Sequence, residues 1–179
     1  MNNNTIFKWE AYGFFFITLI GSLMHFCFEW SGGFVPLALL CAVNESVWEH
    51  LKLGFWPAFF LAALEYISWG KTTRNFIVAK TVSLYMIPIA ITAIFYGYTC
   101  ILGRNFLFLD ISSFVLAVLM AQYISYRMIT SSKDCSRYNK AALIFLAALT
   151  LAFCLLTYFA PDLKPFLDPH TGKPGIPGK

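Results

Sequence analysis

V-N-E-S-V-W-E-H-L-K-L-G-F-W-P, residues Val43–Pro57, sets two carboxylates, an imidazole and an ammonium between Glu45 and Lys52, where an apolar chain begins a long hydrophobic run. Charged groups at membrane depth are costly to hold, so such a cluster reads first as functional. Around it, the 179-residue chain is 59% hydrophobic and only 12% charged, against about 25% charged in a soluble domain. Several apolar runs reach the roughly 20 residues that cross a bilayer. The composition predicts an all-α integral membrane bundle and argues against a soluble globular core.

On either side of the stretch the apolar runs predict five spans, at about 12–30, 46–69, 76–102, 106–128 and 141–160. Ser31-Gly32-Gly33 stops the first. The apolar piece Gly33–Val43 is too short to span, and reads as an interfacial or re-entrant segment. Pro57 and Pro88 fall inside the second and third spans, where a bend is expected. Pro161 ends the fifth and opens a polar, Pro/Gly-rich tail, 161–179, read as solvated or as a lid over the polar residues. The N-terminus lacks a basic region and a cleavage site, so the first run reads as a retained helix. One domain is expected. The five scattered cysteines read as free thiols.

Loop charge predicts the orientation. With the N-terminus inside, Lys8, Lys71, Arg74, Arg127, Lys133, Arg137 and Lys140 are cytoplasmic, while Arg104, Lys164, Lys173 and Lys179 lie opposite. The positive-inside rule therefore favours a cytoplasmic N-terminus and an extracytoplasmic C-terminus in the cell membrane. Basic residues placed in loops report topology, so no nucleic-acid partner is expected. In this topology His25, Glu29, Asn44, Glu45, Glu49, His50, Lys52, Tyr98 and Asp110 form one layer, within roughly 10–12 Å of the outer boundary.

Two readings of that layer stay open. In the first, His25, Glu45, Glu49 and Asp110 bind a divalent metal such as zinc, iron or manganese. His25 and Glu29 are spaced i, i+4, as are Glu45 and Glu49, and each pair stacks on one helix face. Glu49 and His50 would then be catalytic, with His50 as general acid or base, and Glu29, Asn44, Lys52 and Tyr98 would complete the pocket. In the second, Ser46-Val-Trp-Glu49 is a capping box and the remaining charges neutralise one another inside the bundle. Away from this layer, Glu65 and Lys80 read as a structural ion pair closing the hairpin of the second and third spans. Ser112, Ser113, Gln122 and Ser125 read as interhelical hydrogen-bond glue.

N-E-S-V-W-E-H-L-K (44–52), F-I-V-A-K-T (76–81), I-L-G-R-N (101–105) and F-L-D-P-H-T-G-K-P-G-I (166–176) carry a resemblance. Together they resemble an uncharacterised family, a domain of unknown function, of small bacterial multi-pass membrane proteins. The resemblance covers nearly the whole chain and implies a compact helical bundle in a bacterial cell membrane. It implies no activity. From the residues alone, one function class is a membrane-embedded hydrolase-like enzyme acting on a lipid or another amphipathic molecule. The other is a non-catalytic membrane protein: a small transporter, or an accessory or immunity-type factor binding a peptide or protein. Ionisable groups gathered on one side weigh against transport. A homodimer is compatible with five spans, and no residue marks its interface.

Overall fold

The computed structural model describes residues 1–178. Five helices account for most of the chain: α1 (Asn3–Trp30), α2 (Val47–Ser68), α3 (Phe76–Leu102), α4 (Leu107–Ile129) and α5 (Asn139–Tyr158). Among the described residues there are no strands, and a single β-bridge joins Leu167 to Pro174. Helix ends follow local chemistry. Asn2 starts α1 by accepting the Thr5 amide at 2.8 Å, so the helix begins nearly a span's third earlier than its apolar run at Tyr12. Ser46 caps α2. Asn75 precedes α3 in the left-handed conformation, φ 66°, and its amide bonds the Met128 and Lys133 carbonyls while its oxygen accepts the Cys135 amide. One buried asparagine thereby ties the start of α3 to the α4–α5 connection.

Among the described residues four helices, α1, α3, α4 and α5 with the turn before it, are long and apolar enough to cross a membrane. They turn Phe15, Leu19, Ile89, Leu116, Leu119 and Ile144 outward, a surface suited to hydrocarbon. The remaining helix, α2, carries Glu49 and Lys52 in its first turns and Glu65 in its last, and is buried from Leu51 to Ala58 without interruption. Its first half is interior, while Phe60, Leu64 and Ile67 in its second half are exposed. A stretch covered all round needs no apolar stripe, which is why periodicity does not mark residues 51–58.

α2 lies between α1 and α3, α4 closes the ring against both, and α5 packs on α3. The centre holds Ile17, Phe55, Ile87, Val118 and Phe153, each fully buried. Pro57 has no N–H to give the Leu53 carbonyl one turn before it. Gly21 of α1 approaches that same carbonyl so closely that a Cβ there would overlap its oxygen. The missing amide and the missing side chain are complementary, and together they let two backbones meet. The short segment between α1 and α2 forms a 3-10 turn, Val35–Leu39, with Ala38, Cys41, Ala42 and Val43 buried.

The tail is packed rather than solvated. Phe166 stacks on Trp48 at 4.7 Å, Ile176 is buried with Ala38 and Val43, and Asn44 Nδ2 donates to the Gly175 carbonyl at 2.8 Å. Asp168 closes the tail's turn. Burial would raise its carboxyl, yet the Thr171 hydroxyl and the backbone N–H groups of His170 and Thr171 hold it below the usual carboxylate range. The enrichment of Pro, Gly and Asp in this segment specifies turns, and two apolar anchors bring those turns back to the bundle.

Candidate metal centre

Alternating helix directions bring the end of α1, the start of α2, the α3–α4 turn and the tail to one end of the bundle. There His25 of α1, His50 of α2 and Glu45 of the loop before α2 converge. His25 Nε2 and His50 Nε2 are 3.2 Å apart, and Glu45 Oε2 lies 3.6 Å from the first and 3.4 Å from the second. The side chains are 27%, 34% and 45% exposed, respectively, so solvent reaches the trio.

His50 is held in one orientation. Its Nδ1 is 2.8 Å from the Ser46 carbonyl, which only accepts, so Nδ1 carries hydrogen. In the neutral ring Nε2 is then a lone pair aimed at Glu45 and His25. His25 Nδ1 is buried without a hydrogen-bond partner among the described residues. A lone pair set against a carboxylate is repulsive until a cation lies between them. A proton on His50 Nε2 serves, giving an imidazolium that donates to both Ser46 and Glu45. A metal also serves. Bonds of about 2.0–2.1 Å at the tetrahedral angle place neighbouring donors about 3.3–3.4 Å apart, and the three separations here bracket that value. The hydrogen bond with the His50 ring holds the Glu45 carboxyl below its ordinary value; burial opposes this, and His50, His25 and His170 reinforce it through space.

The other residues expected in the metal set are placed elsewhere. Glu49 turns inward, 2% exposed, accepting the Val43 amide at 3.0 Å and pairing with Lys52 at 2.7 Å. Lys52 is fully buried and also donates to the Ala38 carbonyl at 2.7 Å and to Thr157 Oγ1 at 3.3 Å. That pair ties α2 to the 3-10 segment and to α5. Asp110 bonds the Tyr98 hydroxyl and, at 3.2 Å, the Asn105 amide. It closes the α3–α4 turn within electrostatic range of His50. Glu29 is exposed, and no side-chain partner is found for it among the described residues. Half of the capping box forms: the Ser46 hydroxyl accepts the Glu49 amide at 3.4 Å, while the Ser46 amide goes to Asn44 Oδ1 at 2.9 Å, because Lys52 has drawn the Glu49 carboxylate away.

The sequence profile described as "Family of unknown function (DUF6512)" matches residues 1–176. The chain belongs to DUF6512. No curated protein and no solved structure matches it. DUF6512 membership brings no activity with it, so the site is argued on its geometry. The match includes both the histidine trio and the tail that packs beside it.

At the other end of the bundle, Lys80 Nζ lies 2.6 Å from Glu65 Oε2 and 2.8 Å from Glu10 Oε1. Glu10 was not singled out by its sequence context. It sits just ahead of the apolar run, where an acidic residue reads as a flank, and only the early start of α1 carries it inside. Its signal lay in the 28-residue length of α1, about 42 Å at 1.5 Å per residue and longer than a bilayer core requires.

Proposed function

We propose that this DUF6512 protein is a membrane-embedded metalloprotein in which His25, His50 and Glu45 hold one divalent cation, and that the centre performs hydrolytic chemistry on an amphipathic substrate. Two imidazoles and a carboxylate suit zinc, with iron or manganese as competitors. Three protein ligands leave a fourth position for water, and a metal there supplies a nucleophile at neutral pH. The observation that carries the reading is the trio of donor atoms at 3.2, 3.4 and 3.6 Å, with His50 oriented by the Ser46 carbonyl as metal-bound histidines commonly are.

The surroundings bear on the substrate. Phe26 and Trp30 of α1 are exposed around His25, an apolar approach beside a polar centre. That favours a molecule with a lipid-like portion lying in the membrane and a polar group reaching the trio. With the N-terminus cytoplasmic, as loop charge favours, the centre opens to the outer leaflet. Asp110 and His170, in electrostatic range of His50 and Glu45 respectively, are the residues available to accept or deliver a proton. Glu49 and Lys52 supply the rigid base on which the trio stands.

Elemental analysis of the detergent-purified protein tests this directly. Near-stoichiometric zinc, iron or manganese is expected, lost in His25→Ala and His50→Ala and retained in Glu29→Gln. A wild-type protein that stays metal-free after supplementation removes the metalloprotein and leaves the trio as a proton-bridged cluster.

A further inference from the structure

The cluster at the other end is built from four helices and has a charge imbalance. Glu10 comes from α1, Glu65 from the last turns of α2 and Lys80 from the first turns of α3, and α4 contributes Gln122 and Ser125. Ser125 Oγ donates to Glu10 Oε1 at 2.6 Å, and Gln122 Nε2 donates to the Glu10 carbonyl at 3.1 Å. Glu10, Glu65 and Lys80 are 3%, 0% and 6% exposed. Two carboxylates thus share one ammonium with almost no access to water. Glu65 Oε1 and Glu10 Oε2 are buried with no hydrogen-bond partner.

Among the described residues no second cation is at hand. The charged groups acting on Glu65 are Lys80 and Glu10. α4 presents only the neutral Gln122 and Ser125, and the turn after α2 carries Lys71, which is exposed. Arg74 is engaged with the Ser131 and Ser132 carbonyls, and Arg127 with the Tyr123 hydroxyl. An ionised carboxylate without its own counter-charge is among the most costly groups to bury. A sodium ion would need several more oxygen ligands than the two unpartnered carboxylate atoms provide.

We propose that the Glu10–Lys80–Glu65 cluster is a proton-binding site, in which one exchangeable proton, taken from water at the N-terminal end of the bundle, resides on the Glu65 carboxyl and leaves a balanced Lys80–Glu10 ion pair. Protonation removes the surplus negative charge, and the new O–H gives the unpartnered oxygens a donor. Release of the proton restores the surplus and weakens the junction of α1, α2, α3 and α4. The site exchanges with one side only. Between it and the histidine trio the interior is Ile17, Phe55, Leu84, Ile87 and Val118, and no aspartate, glutamate or histidine occurs along α2 between His50 and Glu65. It therefore senses pH on its own side of the membrane and is no part of a transmembrane relay.

The test is infrared titration of carboxyl groups in the full-length protein reconstituted in phosphatidylcholine vesicles, with thermal unfolding followed over the same pH range. Expected for the wild type is a protonated-carboxyl band at neutral pH that disappears as pH rises, together with a fall in stability. Glu65→Gln, which mimics the neutral acid, should fold, lack that band and lose the alkaline fall. If the wild type shows no protonated buried carboxyl at neutral pH, or if Glu65→Gln keeps both band and pH profile, the proposal is overturned. An absent wild-type band overturns the proposal even where the variant does not fold. None of these readouts involves metal, so this proposal and the metal centre stand or fall separately.

Discussion

The two ends of the bundle handle ionisable groups in opposite ways. At the Lys80 end, two glutamates and a lysine are closed off by four helices, held by Lys80 contacts of 2.6 and 2.8 Å and by hydrogen bonds from Ser125 and Gln122 to Glu10. At the histidine end, the trio is one-quarter to one-half exposed and its three donors face a common point. A sealed cluster must reach neutrality within itself, so its residues serve folding first. A cluster open to solvent is free of that requirement, because water can screen its charge. The difference teaches where stability and chemistry can be perturbed independently.

Lys80→Met is expected to have the largest effect. It leaves the buried Glu10 carboxylate without a counter-charge and takes the ammonium from Glu65, and removing one partner of a buried pair costs about 3–5 kcal/mol. Denaturant or thermal unfolding in detergent measures the loss, and metal content per folded molecule should stay at the wild-type level. Equal loss of stability and metal would mean the two ends are coupled. Gly21→Ala comes next, because its Cβ overlaps the Leu53 carbonyl and the Phe114 ring. Overpacking of this kind costs about 1–3 kcal/mol. Since Gly21 lies one turn from His25 on α1, this variant should also lower metal uptake, which Lys80→Met should not.

How much of this was legible in the sequence differs between the ends for the same physical reason. Helix number, the short segment before α2 and the layer of polar residues at one end follow from apolar runs and from breakers such as Gly32-Gly33 and Pro161. The spacing of Glu45, Glu49, His50 and Lys52 does not disclose helix rotation, which is set by packing. That rotation turns Lys52 to the Ala38 carbonyl and Thr157, draws Glu49 after it, and leaves His50 facing His25. Within the N-E-S-V-W-E-H-L-K stretch most residues turn out to be framework. Asn44 holds the tail, Ser46 caps the helix, Trp48 stacks between Phe153 and Phe166, and Glu49–Lys52 pins α5. Glu45 and His50 are the two polar residues left, and both are partly exposed. At the sealed end, Glu10 was hidden because a pattern of apolar residues marks where a span must begin and says nothing about how far its helix continues beyond.

The tail gives a smaller effect. Asn44→Ala removes the bond to the Gly175 carbonyl and the one to the Ser46 amide, at about 1 kcal/mol. Hydrogen exchange should then rise over residues 166–176 while the helical core keeps its protection. Exchange that rises uniformly would show that the tail is an integral part of the core.

The smallest effect is a pH dependence that separates the trio from the sealed cluster by its sign. The Glu45 carboxyl is held below its ordinary value of 4.5 by its hydrogen bond with the His50 ring. A carboxyl depressed in the fold contributes stability that is fully present above its unfolded value and lost as pH falls through its folded value. The side chain is 45% exposed, so the contribution is screened and the loss shallow. Stability should therefore decline gently below pH 4.5 and the decline should vanish in Glu45→Gln, whereas the Glu65 proton produces a decline on the alkaline side. Metal sharpens the contrast. Because a metal must displace the His50 Nε2 proton, zinc binding should weaken as pH falls through the histidine range while the alkaline decline set by Glu65 stays where it was. A zinc affinity independent of pH between 5 and 8, the range where histidine changes charge, would mean that His50 is not a ligand, and the trio would then be held together by its proton alone.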